Sequence, residues 1–312
     1  MTAEGTLVAD LPHFGLLQFA GLDAESFLQG QLSCDVAALA SGQALYGSYN
    51  TPKGRMLASF LLWRDDAGYT MQLPRSLCAP LRKRLGMYIL RSRVTALDAS
   101  DKFVLIGVAG ANAQALLQPL FASVPAAPMT LMIAQHATLL RLDATRFQIV
   151  ATPDRGRDIR QALSTPAALA SEAAWDLANI HAGIPYITPA TQEEFVPQMA
   201  NLDLIGGVSF TKGCYPGQEI VARMHYLGRL KQRMYLANIA GAAAAQPGDK
   251  LYSPDAGDQA AGMIVNAAAA PAGGTDVLAV VQIASFEGNN VHLGSPKGPR
   301  LKFFALPYKI PV

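Results

Sequence analysis

Cysteine is scarce in this chain: Cys34, Cys78 and Cys214 are the three it holds in 312 residues, far apart and without CxxC spacing. That argues against a disulfide framework, and against a cysteine-rich zinc or cluster site contained in this one chain. A reducing compartment, the cytoplasm, is the expectation, with no bound metal. Charge is sparse too. Charged residues make up 15% and the formal net charge is +2, too close to neutral for a dedicated nucleic-acid binder, so any such role needs a local patch. No uninterrupted apolar run reaches the ~18 residues that span a bilayer, so no membrane partner is expected. The opening Met1-Thr2-Ala3-Glu4-Gly5 has neither a basic segment leading into an apolar run nor an early arginine. Neither a secretory signal nor a mitochondrial presequence is expected from it. No internal repeat is evident.

Hydrophobic residues, at 51%, suffice for two or three domains with real cores, while 27 glycines and 20 prolines predict many turns. Residues 16–19 read as a strand, and Asp23 as the cap of a helix carrying Phe27 and Leu28. Strands are predicted over 46–49, 56–63 and 69–73, the first two joined as a hairpin by Thr51-Pro52-Lys53-Gly54. Ser76 is expected to cap a helix running to about residue 85. Arg75, Arg82, Lys83, Arg84, Arg91 and Arg93 form the densest basic stretch, read as a solvated helix face, with a site for an acidic ligand tail or RNA phosphates as the other reading. A strand over 103–108 and a helix over 111–121 flank Gly110. The run from Gly107 to Ala113 lacks the full G-x-G-x-x-G pattern and is no dinucleotide fingerprint.

Strands over 139–142 and 146–151 pair around a turn at 143–145, and helices follow over about 158–163 and 171–180. From residue 230 onward, short strands alternate with small-residue turns such as Pro247-Gly248-Asp249 and Pro271-Ala272-Gly273-Gly274. That spacing predicts a small antiparallel barrel. The alanine runs 242–245 and 267–270 are expected to be loop.

The stretch with the most chemistry is Lys212-Gly213-Cys214-Tyr215-Pro216-Gly217-Gln218-Glu219. Pro216-Gly217 signals a turn, and residues 219–227 read as a short helix stopped by Gly228. Cys214 would then lie on a tight loop entering a helix, where Lys212 and the helix dipole favour thiolate over thiol. A thiolate there could attack an electrophile, accept a persulfide or ligate an iron. Gly213 and Gly217 are expected to hold the loop's path, and Gln218 and Glu219 to fix the helix start. The competing reading is a lone cysteine packed as a small apolar residue. Trp175, on the helix over 171–180, reads from sequence alone as a core residue.

The octet resembles the motif of the YgfZ family, folate-binding proteins related to the T-protein (aminomethyltransferase) of the glycine cleavage system. Phe195-Val196-Pro197-Gln198, Asn201-Leu202, Gly207-Val208-Ser209-Phe210 and Val221-Ala222-Arg223 agree on its flanks, as does the run from Asp23 to Val36. The resemblance implies an α+β, multi-domain, aminomethyltransferase-like folate-binding fold with a C-terminal antiparallel β-barrel. Its expected parts are a discontinuous core at 1–45 and 99–229, an inserted α/β lobe at 46–98, and the barrel at 230–312. It further implies tetrahydrofolate or a one-carbon derivative as cofactor, bound by Trp175 and Phe14 as aromatic contacts, by His181 at the pterin edge and by Arg223. An indole face suits stacking with a flat pterin. Iron–sulfur cluster proteins or assembly factors are the implied partners, with tRNA modification downstream.

The sequence departs from this pattern in two places. Ala58-Ser59 stands where T-proteins carry adjacent aspartates, so the proton-handling carboxylate is missing. His181 stands where relatives often have glutamate, and offers one donor and one acceptor when neutral. Two other functions stay open on sequence grounds. One is a folate-dependent aminomethyltransferase or demethylating enzyme; the other is a direct tRNA-binding accessory protein using the basic residues near Arg82–Arg93 and Arg223–Lys231.

Overall fold

Apolar strand-forming runs dominate the chain, and in the computed structural model, which describes residues 5–164, 167–228, 230–241, 245–257 and 259–311, they assemble into three sheets. The chain forms two units. The first comprises Met1–Gln29, Asp35–Leu45 and Phe60–Trp175; the second comprises Gly30–Cys34, Tyr46–Ser59 and Asp176–Val312. No helix among the described residues is long and apolar enough to cross a membrane.

In the first unit, a six-stranded sheet has the order Ala168–Ala170, Leu7–Asp10, Val104–Ala109, Arg146–Ala151, Ala137–Arg141, Thr130–Ala134. Leu7–Asp10 runs parallel to Ala168–Ala170, and the other pairings are antiparallel. Val8, Ile106, Val108, Phe147 and Ile149 turn one face inward, against Leu117, Ile159 and Leu163 from the helices. Each such side chain contributes about 1.5–3 kcal/mol when fully buried. In the same unit, Phe14–Ala20 pairs antiparallel with Gly68–Pro74 on one side and Thr95–Asp98 on the other.

The helix Arg75–Ile89 buries Leu77, Leu81 and Leu85, spaced four apart on one face, and leaves Arg82 and Lys83 exposed. Its first residue is Arg75 and its cap position is Pro74, with no side-chain hydrogen bond, so Ser76 is not its cap. The helix expected from residue 158 begins earlier, at Pro153, because proline's fixed φ suits a helix's first turn.

In the second unit, the sheet order is His292–Leu293, Lys250–Tyr252, Gly262–Ala269, Thr275–Gln282, Gln232–Ile239, Leu301–Phe304, and every pairing is antiparallel. The sheet curls into a half-barrel, and a bridge between His292 and Arg300 brings its two edges together. Ala267, Ala268 and Ala269, expected in a loop, form the end of a strand and pair with Val277, Asp276 and Thr275. The ladder's backbone hydrogen bonds decide there, since alanine side chains neither favour nor oppose them. The run 242–244 lies outside the described residues. One layer of this unit packs Met234, Met263, Val265 and Val280 against Met56, Ile180, Phe195, Leu202 and Val221.

Candidate functional site

The motif loop is built from its anchors upward. The helix it enters spans Gln218–Tyr226, and Gly217 occupies the cap position with φ 80°. A Cβ on Gly217 would lie 2.5 Å from the Gly54 Cα and 2.5 Å from the Thr51 carbonyl oxygen. Only glycine meets both demands at once. Gly54 belongs to the tight turn of the expected hairpin, in which the Thr51 amide donates to the Arg55 carbonyl at 2.8 Å and the Gly54 amide donates to the Thr51 carbonyl at 2.9 Å. Gly213 differs: a Cβ there meets nothing within 4 Å. Of the two glycines expected to hold the loop, the geometry needs Gly217 alone.

Lys212 is buried, and its ammonium donates to the carbonyl oxygens of Leu32 at 2.7 Å and Cys34 at 2.8 Å. It also lies 5.2 Å from the centroid of the Tyr215 ring, a cation–π distance. Tyr215 is buried, and burial first, then the neighbouring Cys34, pushes its phenol up to about 12. The Gln218 side chain donates to the Lys212 carbonyl at 3.4 Å, closing the loop on itself. From the flank, the Gln198 amide donates to the Val221 carbonyl at 2.6 Å, while Val221 packs into the core. Phe210 stacks on His225 at 3.7 Å. Glu219 sits in the first turn, where a negative charge suits the helix dipole, and Arg223 is exposed in the last. Cys214 is exposed amid these anchors, whereas Cys34 and Cys78 are buried. Burial pushes the Cys78 thiol up to about 11, against the hydrogen bond from Ser100.

His181 pairs with a residue that the sequence did not single out. Its Nε2 lies 2.7 Å from an oxygen of Asp276, whose other oxygen accepts from the Asn238 amide at 2.7 Å. The available signal was an acid inside the apolar strand Thr275–Gln282. Ser59, where a carboxylate would stand in T-proteins, is buried, donating to the Pro185 carbonyl at 2.9 Å and accepting from the Ile187 amide at 3.0 Å. Ala58 is buried beside it.

In the first unit, Trp175 is 1% exposed. Its ring packs onto Gly107, where a Cβ would come within 2.4 Å of the indole. Phe14 is also buried, its ring 4.3 Å from that of His13. Among the described residues, no group of three or more His, Cys, Asp or Glu side chains could hold a metal ion.

A family model described as the GCVT N-terminal domain matches residues 1–165. The tRNA-modifying protein YgfZ of Klebsiella pneumoniae (strain 342) is 35% identical over 243 residues, covering 77% of this chain and 74% of that protein. The chain belongs to the YgfZ family. A second member, the tRNA-modifying protein YgfZ of Shigella boydii serotype 4 (strain Sb227), is 36% identical over 239 residues, 76% of this chain and 72% of that protein. Among solved structures, the glycine cleavage system aminomethyltransferase T from Bartonella henselae superposes with a TM-score of 0.80 at 17% identity, covering 98% of this chain and 87% of that one. The fold is therefore that of the aminomethyltransferases, as the octet implied for a YgfZ-family chain.

Proposed function

We propose that this protein is a cytoplasmic folate-binding protein that supports iron–sulfur cluster assembly or repair and, through it, tRNA modification, with Cys214 as its working residue. The relatives' designation as tRNA-modifying proteins and the aminomethyltransferase fold support the general role. One observation carries the assignment of Cys214: it is exposed while Lys212, Tyr215 and Gly217 on either side of it are buried. A loop so anchored holds its thiol in place for a partner and spends none of the thiol on packing. Tetrahydrofolate or a one-carbon derivative is the proposed cofactor. Unpartnered buried polar atoms, among them the Tyr215 hydroxyl, fit a polar heterocycle as ligand. Aminomethyl transfer is not proposed, because the Ser59 hydroxyl is already committed to the backbone and no carboxylate stands there.

The test combines chemistry and cells. Iodoacetamide should alkylate Cys214 in the folded protein and reach Cys34 and Cys78 only after unfolding. A Cys214→Ala variant should keep its fold and its affinity for 5-formyltetrahydrofolate, yet fail to restore cluster-dependent tRNA modification in cells lacking the protein. Full rescue by that variant would remove Cys214 from the mechanism.

A further inference from the structure

We propose that the last turn of the helix Arg75–Ile89 and the loop 90–93 behind it form a docking surface for an acidic, leucine-bearing segment of a partner protein. The surface lies wholly within the first unit and stands independently of the Cys214 reading.

The helix ends in a way that works against stability. Leu90 holds its C-terminal cap position with φ 45° and ψ −104°. A side chain on Cα resists that backbone conformation, which is why glycine usually stands at such a helix end. Burying the leucine would offset the strain, yet Leu90 is 87% exposed. Stability alone would place glycine here. Strain kept for a side chain that the fold leaves in water points to a contact outside the folded chain.

Leu90 has apolar company. Met87 and Tyr88, in the last turn, are exposed, as is Leu22. Leu22 precedes Asp23, which lines a hollow of about 750 Å³ together with Tyr88, Ile89, Leu90, Arg91 and Ser92. That volume falls in the range of about 300–1,000 Å³ typical of binding pockets. The hollow is built, since Asp23 accepts from the Arg93 amide at 2.7 Å and from its guanidinium at 3.0 Å. Exposed apolar groups rimmed by polar ones mark interaction sites.

The rim selects the partner. Arg75 pairs with Asp101 and Arg93 with Asp23. Among the described residues, none of Arg82, Lys83, Arg84 and Arg91 has an ion-pair partner, and the Arg84 Nε is buried without a hydrogen bond. In the free chain these cations face solvent on a solvated helix face. Carboxylates complement them, and an aliphatic side chain between the carboxylates would fill the hollow against Leu90. RNA phosphates would meet the cations but give the aliphatic Leu22, Met87 and Leu90 no aromatic face on which to stack a base. A hollow suits an inserted side chain, whereas a bilayer calls for side chains that protrude.

Fluorescence polarisation of the full chain with two labelled synthetic peptides tests this. One alternates pairs of glutamate and leucine; the other has glutamine in place of every glutamate. The acidic peptide should bind about tenfold more tightly, and added salt should weaken it. Leu90→Gly should weaken that binding about fivefold or more while raising the thermal midpoint, a combination that a structural role for Leu90 would not produce. Lys83→Glu, at an exposed position, should weaken it as well and leave the midpoint unchanged. Equal affinity for the two peptides, no binding by the wild type, or undiminished binding by Leu90→Gly overturns the proposal, as does a lowered midpoint in that variant. Labelled single-stranded RNA and phosphatidylglycerol vesicles complete the test. Binding of either that depends on Leu90 and Lys83, without peptide binding, assigns the surface to that class of partner and overturns the proposal.

Discussion

Gly217 and Gly54 approach so closely that a methyl group on Gly217 would lie 2.5 Å from the Gly54 Cα. The positive φ of Gly217 adds a second penalty for any other residue. Gly217→Ala should therefore cost about 2–4 kcal/mol in chemical denaturation, combining backbone strain with overpacking. Gly213→Ala, facing open space, should stay within about 0.5 kcal/mol of wild type. Equal losses at the two positions would contradict the geometry.

Lys212 and the carbonyls of Leu32 and Cys34 make a second test. Lys212→Met keeps the side-chain length and removes a charged donor from two acceptors, so it should destabilise by about 2–5 kcal/mol. Iodoacetamide labelling should show whether the thiol loses its fixed position: Cys214 would react at a changed rate in the folded variant. A fully stable variant would show that the loop is held by other contacts.

Trp175 and Gly107 test the first unit. Gly107→Ala forces a Cβ to within 2.4 Å of the indole, and its overpacking should cost about 1–3 kcal/mol. The tryptophan near-ultraviolet circular dichroism should change with it, since the ring must shift. An unchanged spectrum and midpoint would mean that the packing there is slack.

Asp143 gives the expected pH dependence. Burial works to raise its carboxyl, but the Arg146 guanidinium and the amides of Thr145 and Arg146 overcome this and hold it below the usual carboxylate range. With the folded-state pKa depressed, the group's contribution is present above its unfolded value of about 3.9 and is lost as pH falls through the folded-state value. Asp143→Asn should thus be less stable than wild type at pH 7, and urea midpoints of the two should converge at pH values below that window. A gap that persists at acid pH would assign the effect to packing.

What the sequence made legible was local. Pro216-Gly217 announced a turn and a positive φ, and the buried spacing of Leu77, Leu81 and Leu85 explains why the basic run is a solvated helix face. The octet identified the family because short-range turn chemistry leaves its mark in adjacent residues. The anchors of the site were not legible in the same way. Lys212 bonds to backbone carbonyls 180 and 178 residues earlier, and carbonyls carry no residue identity to read. His181 finds Asp276 95 residues later, through strand register that no local pattern specifies.

The distance along the chain between Lys212 and its acceptors also sets an order of events during synthesis. Leu32 and Cys34 leave the ribosome 180 and 178 residues ahead of the lysine that binds them. At translation rates of 5–20 residues per second, that is roughly 10–40 s. Through that interval, the Gly30–Cys34 segment waits for its cation, exposed to whatever else in the cell pairs with free backbone carbonyls.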